Sequence, residues 1–343
     1  MTTSMIDSPA PLRGAPPDQA ARLRELVDEL MLGTIQIPAG PIEVIPPPVP
    51  GPTGRIVAIT SGKGGVGKTF TAVNLGIAMS RLGCRVTVVD ADPGLANADV
   101  MCGLAPGRRL GDRADRELAD LEVDAPGGFR LVPGSVGAHA LHDESQRGRA
   151  RFTAALRGLA AQRDLVIVDT GAGVAPEITS CATAAALAIV VVTPEPTSMA
   201  DAYAMMKCIR MRGAAEAASR ARRGPRIGLV VNQSCGRVEA STVYSRLSAV
   251  AERFLHCSPV LLGVISQDER VRRSIRARRP LLAEESTRGP ARRELLALGL
   301  RLAAELGLGP GRGQSKPPAA EGLIARWRRK VSAGSAGGDG ELS

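Results

Sequence analysis

Eight consecutive residues, Gly62-Lys63-Gly64-Gly65-Val66-Gly67-Lys68-Thr69, carry the strongest chemical signal in the chain. Glycines at this density let successive backbone N–H groups turn inward, and such a ring of donors cradles phosphate oxygens. Lys68 stands where an ammonium reaches the β- and γ-phosphates, and the Thr69 hydroxyl suits Mg²⁺. Two acidic clusters follow. In Val88-Val89-Asp90-Ala91-Asp92-Pro93-Gly94 the carboxylates of Asp90 and Asp92 suit a Mg²⁺-bound water and the positioning of an attacking water. In Val166-Ile167-Val168-Asp169-Thr170-Gly171-Ala172-Gly173, Asp169 has the place of a Walker B carboxylate, and the glycines suit a loop that senses a γ-phosphate. ATP and Mg²⁺ are the cofactors this set implies.

Such residues work only if the fold gathers them. Runs rich in β-branched residues at 56–60, 85–90, 165–169, 187–193, 227–232 and 260–265 predict strands. Helical patterns lie between them near 69–82, 147–162, 198–211, 240–255 and 290–306. This alternation predicts an α/β fold, a doubly wound and mostly parallel sheet with ligands at the carboxyl ends of its strands. The Gly-, Pro- and Asp-rich region 105–145 predicts no more than a strand near 129–133. The ATPase domain is expected over 55–309.

The chain has 343 residues, 44% of them hydrophobic but only 2% aromatic, so its core must be built from Ala, Val, Leu and Ile. That suits a parallel sheet buried between helices. Six scattered cysteines without a C-x-x-C pair argue against a structural zinc, an iron–sulfur scaffold or a disulfide frame, and fit a reducing cytosol. The N-terminus lacks the apolar core of a signal peptide. The longest apolar run, 184–192, is well short of the ~20 residues of a spanning helix and reads as a buried strand. A net charge of +10 implies attraction to nucleic acid or anionic lipid without choosing between them.

Lys63 makes the loop distinctive, since an ordinary phosphate loop needs no lysine there. The run Lys63-Gly64-Gly65-Val66-Gly67-Lys68-Thr69 resembles the deviant Walker A loop of the MinD/ParA family of P-loop ATPases. The resemblance implies that Lys63 reaches the partner subunit's nucleotide across an ATP-bound homodimer. It also implies that Asp92 is the hydrolytic carboxylate and that Asn232, at the end of a strand, contacts adenine. Phe70 departs from the usual Ser or Thr and would leave the α-phosphate to backbone N–H alone. Ser266 and Gln267 stand where the family has a proline-containing turn before Asp268.

Other segments resemble the flagellar FlhG/FleN branch of that family. They are Thr193-Pro194-Glu195-Pro196-Thr197-Ser198-Met199-Ala200-Asp201-Ala202-Tyr203, the stretch 268–273 and Arg279-Pro280-Leu281. Most specific is Asp18-Gln19-Ala20-Ala21-Arg22-Leu23-Arg24, similar to the branch's activator motif for FlhF, the GTPase that places polar flagella. Residues 1–15 read as disordered and 16–32 as an amphipathic helix capped by Asp18. The proline-rich stretch 33–54 reads as a semi-rigid linker. Gln19 carries an amide able to orient water in a partner's GTP site. Region 310–343 reads as a linker, a short helix and a disordered tail. Leu323, Ile324, Trp327 and Val331 share a helical face flanked by Arg326, Arg328, Arg329 and Lys330, as a reversible anchor on anionic membrane requires.

The expected function is therefore an ATP-driven dimerisation switch of flagellar number and placement, cytoplasmic and peripheral on the membrane's inner face. The implied partners are an FlhF-type GTPase and a flagellar transcription regulator or basal-body protein, rather than DNA. The alternatives are a MinD-type septum-site regulator, which lacks the 18–24 motif, and a ParA-type DNA-segregating ATPase using arginines such as those in 270–279.

Overall fold

The central strand β1 (Arg55–Ser61) is buried on both faces, because its alternate side chains feed two different cores. Ile56 and Ala58 point into one apolar cluster, Val57 and Ile59 into the other. Such a strand needs helices on both sides and neighbours on both edges. The computed structural model describes residues 55–111, 117–135, 146–220, 224–286 and 288–308, with side chains left aside over 215–220. The expected activator helix, the proline-rich linker and the C-terminal helix lie outside the described residues.

The remaining strands are β2 (Val86–Ala91), β3 (Val123–Asp124), β4 (Arg130–Val132), β5 (Leu165–Ala172), β6 (Leu187–Val192), β7 (Arg226–Ser234) and β8 (Val260–Ser266). They form one eight-stranded sheet in the order β3-β4-β2-β5-β1-β6-β7-β8, parallel except where β3 meets β4. One face is covered by α1 (Lys68–Arg81) and α8 (Pro290–Leu306), beside the single turn α2 (Ala98–Met101). The other is covered by α3 (Gln146–Ala161), α4 (Pro176–Ala184), α5 (Pro196–Arg220) and α6 (Arg237–Leu255). A last short helix, α7 (Glu269–Arg276), follows β8. No described helix is long and apolar enough to cross a membrane.

This is the expected doubly wound fold, with differences that have local causes. The apolar run 184–192 is not one strand. Ala184 ends α4, and the chain enters β6 at Leu187. α4 starts on Pro176, whose fixed φ suits a first turn, and is too short to show a clear period. α5 extends to Arg220, beyond the expected 211, through an alanine-rich stretch of high helix propensity. α7 buries no residue fully and spans about two turns, so its one apolar pair, Val271 and Ile275, is too short a pattern to read; Asp268 caps it by accepting from the Arg270 N–H.

Candidate functional site

Register decides what meets at the carboxyl edge. β2 and β5 pair so that Asp90 lies directly beside Asp169 and Ala91 beside Thr170, while Ile59 of β1 flanks Asp169 on its other side. Two carboxylates far apart in sequence therefore share one spot next to the loop leaving β1. The loop then enters α1, whose first residues are Lys68 and Thr69, so its unpaired N–H groups face the same place.

The loop is held by close approach. Gly67 has φ 95°, and a side chain there would place Cβ 2.3 Å from the Asn232 amide nitrogen. Gly62 passes so near α5 that a Cβ would sit 2.2 Å from the Asp201 carbonyl oxygen. Ser61 Oγ donates to the Lys63 carbonyl at 2.6 Å, and Asn232 Nδ2 donates to the Val66 carbonyl at 2.7 Å. Gln233 sits in the left-handed region at φ 57° and donates Nε2 to the Gly65 carbonyl at 3.3 Å. With carbonyls of Gly65 and Val66 fastened outward, the loop's N–H groups are left for a ligand. Phe70 is buried in the core, so only its backbone can serve the site.

Asp169 has no solvent exposure, and neither of its carboxylate oxygens accepts a well-formed hydrogen bond. Burial, then the charge of Asp90, pushes its pKa well up; the neighbouring Thr69 hydroxyl and Lys68 ammonium oppose this. An orphaned buried carboxylate beside a hydroxyl fits a divalent cation, so Asp169 and Thr69 suit Mg²⁺. Asp90 is also raised, to about 6, chiefly by burial, although the N–H groups of Ala98 and Asp92 donate to it. Lys68 is lowered by burial, with Asp169 and Asp92 pulling the other way. Asp92 is more open. Its Oδ1 accepts from the Gly94 and Leu95 N–H groups at 3.0 and 3.1 Å, which leaves Oδ2 for water. It borders a cleft that Thr170, Phe152 and Glu177 also line.

The sequence-derived loop, acidic pair, Asp169 and Asn232 are thus all brought together. Lys63 turns elsewhere: its Nζ donates to Glu195 Oε2 at 2.5 Å and Thr197 Oγ1 at 3.0 Å. Sequence reasoning missed this pairing, although both partners fall within the quoted 193–203 segment. It also missed Gln233 and the ion pair of buried Asp99 with Arg109, whose Nη1 reaches the Gly134 carbonyl at 3.0 Å. No sequence signal marks either. The candidate activator residues Asp18, Gln19, Ala20, Leu23 and Arg24 lie outside the described residues. So do Leu323, Ile324, Trp327, Arg328 and Val331.

Residues 57–281 match the CobQ/CobB/MinD/ParA nucleotide binding domain. The chain belongs to that family. It is 37% identical over 227 residues to the antiactivator FleN of Pseudomonas aeruginosa, covering 66% of this chain and 78% of FleN. It is 30% identical over 230 residues to the flagellum site-determining protein YlxH of Helicobacter pylori, covering 66% and 74%. Both relatives are of the flagellar branch, and the chain is a MinD-like protein of that kind. Among solved structures it shares its fold with the septum site-determining protein MinD of Pyrococcus horikoshii, determined with Mg-ADP. The TM-score is 0.57 at 22% identity, over 73% of this chain and 96% of that one.

Proposed function

We propose that this chain hydrolyses ATP to ADP and phosphate as the timer of a dimerisation switch of FlhG type. The observation that carries the reading is Asp169, buried with both oxygens unpartnered beside Asp90 and below a phosphate loop that also bears Lys63. Asp169 and Thr69 would hold Mg²⁺, with Asp90 acting through its water. The chemistry a Mg²⁺ held there would supply is charge screening of the phosphate oxygens. Lys68 neutralises the β- and γ-phosphates, and the loop N–H groups orient them. The free Oδ2 of Asp92 orients the attacking water.

For the switch itself, Lys63 must leave Glu195 to reach a second subunit. That pair is half-exposed, 37% and 60%, and such pairs contribute only about 0–1 kcal/mol, so ligand energy can break it. Leu95 and Val174, on the two loops beside the acidic cluster, are exposed and offer apolar area to a second copy. Dimerisation with ATP would pair two weak C-terminal anchors and place the protein on anionic membrane. The 18–24 motif would then act on an FlhF-type GTPase, with a flagellar transcription regulator or basal-body protein as a further partner. A MinD-type septum-site regulator would share the switch but not that motif.

The test is ATP turnover and size-exclusion with ATP. Lys68→Ala should lose ATP binding with an unchanged circular dichroism spectrum, and Lys63→Ala should bind ATP yet stay monomeric. Unchanged ATP affinity in the first variant would remove the loop assignment. An ATP-dependent dimer in the second would remove the cross-subunit role.

A further inference from the structure

β8 ends at Ser266, and turn 266–268 contains no proline to set its backbone. A carboxylate from another element does so instead. Glu294, in the second turn of α8, accepts from the Ser266 N–H at 2.8 Å with Oε2 and from the Ser266 hydroxyl at 2.7 Å with Oε1. Both oxygens serve one residue, so the side chain and the strand end have a single mutual arrangement. Hydrogen bonds to an ionised acceptor are the stronger kind.

From this anchor a chain of hydrogen bonds leads back to the phosphate loop. Gln267 donates its N–H to the Ser234 carbonyl at 2.9 Å and its Nε2 to the Gln233 carbonyl at 3.2 Å. Gln233 in turn donates Nε2 to Gly65, and Asn232 donates to Val66. The ends of β7 and β8 are therefore tied to each other, with a side contact from Gln233 to the loop, and Glu294 holds the outer end of β8. The one carboxylate in the turn is withdrawn from it. Asp268 Oδ1 caps α7, and Oδ2 lies buried against Gly289, whose added Cβ would come within 2.7 Å of it. Asp268 is thus turned away from Asn232, and the carboxamides of Gln233 and Gln267 lie at the strand ends.

We propose that Glu294 is a positioning residue for the nucleotide base. It rests on the reading of this chain as an ATP-binding protein with the base beside Asn232. By holding Ser266, Glu294 sets where turn 266–268 stands beside the end of β7 that carries Asn232. Its loss frees the turn, while the phosphate loop keeps two fastenings that do not pass through Glu294, Asn232 to the Val66 carbonyl and Ser61 to the Lys63 carbonyl. Base recognition and phosphate recognition are separable in this site.

Calorimetry on the full-length chain with Mg²⁺ decides it, using ATP and inorganic tripolyphosphate as probes. Glu294→Ala should weaken ATP binding about tenfold and leave tripolyphosphate binding unchanged, the size of one lost polar contact. Glu294→Gln, whose amide can still accept from the N–H and donate to the hydroxyl, should recover most of that loss. Ser266→Ala removes only the hydroxyl contact and should cost about threefold for ATP alone; it serves as the measurement if Glu294→Ala melts early. Parallel loss of both probes, or no loss of ATP binding in any variant, overturns the proposal. A wild-type chain that binds neither probe instead overturns the underlying nucleotide reading.

Discussion

Replacing Gly67 by alanine asks whether the phosphate loop is held by the contact with Asn232. Two separate costs are expected. An L side chain at φ 95° is strained by roughly 1–2 kcal/mol. The new Cβ would also stand 2.3 Å from Asn232 Nδ2, which must swing away from the Val66 carbonyl and leave a buried bond unmade. That adds about 1–2 kcal/mol, for a total of roughly 2–4 kcal/mol. Gly64→Ala is the control, since nothing lies within 4 Å of its added Cβ and its φ is not in the left-handed region. It should change stability by less than about 0.5 kcal/mol. The second arm repeats Gly67→Ala in an Asn232→Ala background, where the steric partner is gone and only the backbone strain of about 1–2 kcal/mol remains. Urea unfolding without nucleotide reads the wild type and the four variants. Equal costs in the two backgrounds, or a Gly67→Ala variant as stable as Gly64→Ala, would refute the idea that Asn232 braces the loop.

Asp92→Asn keeps an oxygen for the Gly94 and Leu95 N–H groups while removing the charge, so it should retain the loop and ATP affinity. Turnover should fall about a hundredfold or more and the ATP dimer should accumulate on size-exclusion; near-normal phosphate release would rule out Asp92 as the water-positioning group. Arg163→Met strands Glu122, whose side chain is 2% exposed and bonded to Arg163 and Thr87, and should cost about 3–5 kcal/mol in urea without altering ATP affinity. A loss below about 1 kcal/mol would show that the pair is dispensable. Trp327→Glu should abolish ATP-dependent flotation with anionic liposomes, and continued flotation would move the anchor elsewhere. A peptide of residues 1–33 should accelerate GTP hydrolysis by an FlhF-type GTPase, and Gln19→Ala should weaken that effect. No acceleration would leave the septum-site reading as the better one.

The chemistry of this protein is written in short stretches whose meaning is local. Glycine spacing, the two loop lysines, the acid pair and the strand–helix alternation depend on neighbours a few residues away. The sequence therefore determines the glycine-rich loop, the kind of sheet and the edge at which the candidate site lies. Short elements escape it: α4 and α7 span too few turns to display a period. What only the tertiary structure decided is which distant groups meet. Strand register sets Asp90 beside Asp169, Lys63 finds Glu195 across 132 residues, and Asn232 finds Val66 across 166. Glu294 meets Ser266 because α8 packs on β8. A one-residue slip in register would turn a carboxylate to the opposite face with no change in composition or pattern, so such pairings belong to the packed sheet rather than to any segment of sequence.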